Sequence, residues 1–141
     1  MDPVARALSD VRRLKAEVAS PFDRSELVDY LCTLAGELGF TPVKNLRRGM
    51  VRIDCGWKDG HELFLAANVE FGNEREILGA VAELIVSRPE MGLLITASNS
   101  LKPLSQIVSA VEELRPGFDV ILLDINAEKA VTVRGRREGK Q

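Results

Sequence analysis

The run HELFLAANVEFGN at residues 61–73 constrains the fold more than any other stretch of the chain. Asp59-Gly60 stands before it and Gly72-Asn73 ends it, so turn residues bound it on both sides. Between them Leu63, Phe64, Leu65, Ala66, Ala67 and Val69 form a nearly unbroken apolar series. A series this short and this apolar reads as a strand covered on both faces, hence central in its sheet. Two polar residues interrupt it near its end, Asn68 and Glu70. Two positions apart along a strand, they are expected on one face. A polar group where a buried strand meets a helix is costly unless paired, and such pairing marks candidate sites.

The rest of the chain is consistent with one α/β domain. Its 141 residues can bury a substantial core, and 45% apolar with 28% charged is ordinary for a globular protein. A net charge of −2 argues against a bulk nucleic-acid binder but allows a local basic face. Two cysteines, Cys32 and Cys55, are too few and too far apart for a zinc motif or a disulfide framework, and read as small core residues. His61 is the only histidine, which argues against His-based metal clusters and a Ser-His-Asp triad. No apolar run reaches membrane-spanning length and no signal peptide is visible, so a cytoplasmic location without membrane contact is expected.

Periodicity gives the element order. Asp2-Pro3 opens a helix carrying Val4, Leu8, Val11, Leu14 and Val18, which Ser20-Pro21 should end. A second helix is predicted over 24–38, with Asp23 and Glu26 as a capping box and Gly39 as its stop. Strands follow at 40–45 and 50–57, joined by Arg47-Arg48-Gly49, and Asp59-Gly60 turns into the third. Asn73 and Glu76 cap a helix ending before Pro89. A strand at 92–97, a helix from Pro103 to Arg115 and strands at 118–125 and 130–133 complete the domain, 1–133. Residues 134–141 are basic and poor in apolar residues, which predicts a disordered tail. The fold class is therefore a mixed β-sheet: an antiparallel three-strand meander, then strand-helix-strand units, with helices on both faces.

Asp54, in the middle of the second strand, is the third residue of interest, because aspartate is depleted from strand interiors. Two carboxylates and an amide oxygen on adjacent strands would make an oxygen-rich pocket for Mg²⁺, which could activate water at a phosphoryl group. The register decides this. A strict two-residue turn at Asp59-Gly60 pairs Asp54 with Leu65 and points it away from Asn68 and Glu70, so convergence requires an odd loop or a bulge. In the plainer alternative Asp54 pairs with an arginine such as Arg52.

The order helix, three-stranded meander, helix, strand over residues 23–97 resembles the core of the restriction-endonuclease-like, or PD-(D/E)xK, nucleases. The motif residues are Ile53-Asp54 and NVEFGN at 68–73. They look closest to the branch in which Glu-x-Glu is followed by an aromatic, Gly and Asn. The resemblance implies a Mg²⁺- or Mn²⁺-dependent endonuclease hydrolysing DNA phosphodiesters. In this alignment Asp54 is the first metal ligand, Asn68 stands at the second acid and Glu70 at the lysine position; Asp54 and Glu70 would hold the metal, Asn68 would assist, and Arg47, Arg48, Arg52 and Arg75 would meet phosphates. Asn68 is neutral, and no lysine stands at Glu70 or Gly72. A second alignment makes Glu70 the metal-binding acid and takes the cation from Arg75. The family also holds members that keep the fold without the chemistry, so an inactive nucleic-acid-binding or protein-interaction module is the alternative. A homodimer is compatible with either. A third reading is an unrelated α/β protein in which Asp54 and Glu70 are paired with arginines.

Overall fold

The structure, a computed structural model, describes residues 2–18 and 22–135. Among them the chain forms α1 (Pro3–Leu8), α2 (Val11–Glu17), α3 (Arg24–Leu38), β1 (Thr41–Arg48), β2 (Val51–Asp59), β3 (Glu62–Val69), α4 (Glu74–Ser87), β4 (Met91–Thr96), α5 (Leu104–Leu114), β5 (Asp119–Asp124) and β6 (Lys129–Val133). The strands form one mixed sheet in the order of the chain, β1 to β6. β1, β2 and β3 are an antiparallel meander. β3, β4 and β5 run parallel, and β6 turns back on β5. This is the expected α/β class, with β3 and β4 in the middle.

Alternation along the central strands feeds two cores. On one face Leu93, Ile95 and Ile121 meet Leu14 of α2 and Leu27, Leu31 and Leu34 of α3. On the other, Leu94, Val120 and Leu122 meet Ile77, Val81 and Leu84 of α4 and Ile107 and Val111 of α5. Strands buried on both faces need the continuous apolar runs seen in β3, β4 and β5.

The structure departs from the sequence-based expectation at the N-terminus. The spacing from Val4 to Val18 predicts one helix, but the chain divides at Ser9 and Asp10. Asp10 accepts the Arg13 N–H at 3.1 Å and so caps a new helix. Both pieces still bury their stripe, with Leu8, Val11 and Leu14 inside. The stop at Ser20-Pro21 lies outside the described residues. Asn73 and Glu76 form the expected capping box on α4. Residues 136–141 of the predicted tail also lie outside the described part, while Arg134 and Gly135 are held by Asp119.

Register is set at the β2–β3 hairpin. Asp59 pairs with Glu62, so the turn is Gly60-His61, one residue later than expected. Lys58 pairs with Leu63 but Trp57 pairs with Leu65, leaving Phe64 as the extra residue of a bulge. The bulge has a packing reason. Phe64 stacks on Phe40 at 4.6 Å between ring centroids, and Phe40 stacks on Trp57 at 5.5 Å. Later turn and bulge together move Asp54 three places from the Leu65 register, to the position beside Asn68.

Leu65 and Leu94 are fully buried, one in each core. Replacing either by alanine should cost roughly 2–5 kcal/mol in chemical denaturation. A loss below about 1 kcal/mol would mean that the site collapses around the smaller side chain.

Candidate functional site

Beside each other at the β2–β3 junction, Asp54 and Asn68 replace ladder bonds with side-chain bonds. The Asp54 N–H donates to Asn68 Oδ1 at 2.8 Å, and the Val69 N–H donates to Asp54 Oδ2 at 2.9 Å. Asn68 Nδ2 donates to the Ala80 carbonyl of α4 at 3.0 Å, with Glu83 Oε1 at 3.5 Å. Both residues are buried. The β1–β2 pairing also skips this position, where Asn45, opposite Asp54 on β1, has a left-handed φ of 51°. Ile53 accordingly packs with α4, while Cys55, only two residues on, packs with α3. Burial among apolar atoms and the neighbouring Cys32 raise the Cys55 thiol far above its ordinary pKa.

The Asp54 carboxylate lies on the α3 side. Arg24 Nε is 3.9 Å from its Oδ2, and Arg52 Nη1 is 3.7 Å from its Oδ1. Glu70 lies on this side too, with Oε1 3.8 Å from Arg24 Nη2 and Oε2 accepting the Gly72 N–H at 3.0 Å. Asn68 and Glu70, expected on one face, are therefore on opposite faces. The alternation rule fails because β3 ends at Val69 and Glu70 already belongs to the exit loop. Its N–H still continues the sheet, donating to Ile95 O at 3.0 Å.

A cleft of about 380 Å³ opens between the start of α3 and the β1–β2 ribbon, lined by Asp23, Arg24, Asp29, Lys44, Arg52 and Asp54 among others. Glu70 is not part of its lining. Acids and bases balance there. Lys44 Nζ sits 2.5 Å from Asp29 Oδ1, which holds the ammonium above its ordinary pKa. Arg52 donates to Asn45 Oδ1 at 2.6 Å.

A metal implied by the resemblance would need oxygens aimed into one space. Asp54 and Glu70 share the α3 side, but the Asn68 amide is spent on the Asp54 N–H and on α4. Arg24 already lies between the two carboxylates. Among the described residues no group of three or more His, Cys, Asp and Glu is placed to hold a metal ion.

The predicted phosphate contacts fall at the same end of the sheet, where β2 begins and β3, β4 and β5 finish. Arg47, Arg48 and Arg52 are exposed on the β1–β2 ribbon, with fully exposed Met50 at its turn. Arg75 is exposed in the first turn of α4.

Sequence reasoning passed over three residues at this end. Arg24 looked like any polar residue opening a helix. Lys102 carries no signal in the sequence, yet its Nζ donates to the Phe71 and Gly72 carbonyls and ties down the loop after Glu70. Asp124, fully buried at the end of β5, accepts the N–H groups of Ser98, Asn126 and Ala127 on Oδ1. An acid closing an apolar strand just before a turn was the available signal.

No family model and no curated protein matches the sequence. Among solved structures, a chain of the CdiA-CT/CdiI toxin and immunity complex from Burkholderia pseudomallei is similar. It has a TM-score of 0.46 and 16% identity, over 83% of this chain and 92% of that one. Among the described residues no helix is long and apolar enough to cross a membrane.

The placement of Asn68 generates a test. Asn68→Asp keeps the shape but turns a donor toward Ala80 O into an acceptor, beside Glu83. It should cost roughly 2–4 kcal/mol in urea denaturation. Unchanged stability would mean that the bond to Ala80 O is dispensable, and a gain that requires Mn²⁺ would place the side chain in a cation site instead.

Proposed function

We propose that this chain is a restriction-endonuclease-like module that binds nucleic acid through the arginine-bearing end of its sheet and does not hydrolyse it. The order α3-β1-β2-β3-α4-β4, with β3 central, supports the fold-family reading. The observation that carries the non-hydrolytic reading is the Asn68 side chain, pinned between Asp54 N–H and Ala80 O on the α4 side. It leaves Asp54 and Glu70 sharing a guanidinium rather than an oxygen cage. Arg47, Arg48 and Arg75 are exposed and free to meet phosphates, which set affinity and its salt dependence without reading sequence.

One observation favours a second reading, a Mg²⁺- or Mn²⁺-dependent nuclease. Asp54 and Glu70 lie on the same side of the sheet, each within 4 Å of the Arg24 guanidinium. Those two carboxylates would hold the ion, which would activate water and stabilise charge on the phosphoryl group.

Fluorescence anisotropy on duplex and single-stranded DNA, in EDTA and at graded salt, tests the module. Binding without metal is expected. The double variant Arg47→Ala, Arg48→Ala should weaken it and reduce the salt slope by about 2. No binding at low salt would sink the module. Plasmid cleavage in Mn²⁺ that Asp54→Asn abolishes would establish the nuclease instead.

A further inference from the structure

We infer that Arg24 is the built-in cation of this site, its guanidinium standing between Asp54 and Glu70 in place of a divalent ion. Among the described residues only Arg24 reaches both acids: Nε lies 3.9 Å from Asp54 and Nη2 lies 3.8 Å from Glu70. The same Nη2 donates to the Val69 carbonyl at 3.0 Å, which fixes the planar group across the exit of β3. Arg52 approaches Asp54 alone and is engaged with Asn45. This inference rests on the non-hydrolytic reading of Asp54 and Glu70, but its test involves no nucleic acid.

Two further features point the same way. Arg24 is the first residue of α3, where the positive end of the helix dipole disfavours a cation. A guanidinium there needs an opposing negative charge, and Asp54 and Glu70 supply it. Asp54 is only 7% exposed, so its charge requires a partner whether or not a metal is present. Arginine suits the task better than lysine. Its planar fork presents several donors at once, whereas an ammonium is a point charge that cannot span two acids and a carbonyl.

Thermal unfolding of the full chain in EDTA tests the assignment through a mutant cycle on Arg24→Ala and Glu70→Gln. Arg24→Ala should lower the Tm by on the order of 2–4 °C, and by distinctly less when Glu70→Gln is already present. Arg24→Lys should recover only part of the loss. Calorimetric titration with Mn²⁺ should give no heat on the native chain at millimolar metal. Additive Tm changes in the cycle, or Mn²⁺ binding to the native chain that Asp54→Asn removes, would each overturn the assignment.

Discussion

A carboxylate carried into the interior between two strands must be answered by donors on every side, and the middle of this molecule is arranged around that need. Asp54 receives the Val69 N–H from β3 and faces Arg24 of α3. Its own N–H is taken by Asn68, which passes the connection through the sheet to Ala80 of α4. One chain of polar contacts thus runs from the helix layer on one face to the layer on the other. It crosses the sheet at the point where the main-chain ladder gives way, so the parting of β2 and β3 leaves no orphaned donor at Asp54 or Val69.

The sheet was legible in the sequence because burial on both faces writes itself as uninterrupted apolar runs, as in Leu93-Leu94-Ile95 and Val120-Ile121-Leu122-Leu123. The helices were legible from their stripes and from the Asn73–Glu76 cap. The register was not. It depends on Phe64 bulging to stack with Phe40, and Phe40 with Trp57, a contact among residues far apart in the chain. The break between α1 and α2 was equally hidden. The apolar spacing runs through Ser9 and Asp10 without a gap, and only the local bond of Asp10 to Arg13 decides for two helices.

At the site, the sequence identified the unusual residues but not their directions. Asp54, Asn68 and Glu70 are all where a polar residue in or beside a buried strand demands a partner. Which partner each takes follows from where β3 ends and from what α3 and α4 present. Arg24 could not be recognised, because nothing local distinguishes it from a solvated helix residue; its importance is created by docking α3 against the sheet. The same holds for Asp124, whose three N–H donors come from two different loops.

The strand order also bears on how the sheet forms in time. Each strand lies beside its predecessor in the chain, so no strand must wait for a later one before it can pair. A nascent chain leaving the ribosome can build this sheet by accretion, β2 onto β1, β3 onto β2, with α4 closing over β3 and α5 then packing beside α4. Growth of this kind keeps loop closures local, and local contacts form fastest. It also leaves β1 at an edge of the sheet among the described residues. Pro42, which has no N–H to offer, and the charged Lys44 stand on that edge and make it a poor template for a stray strand.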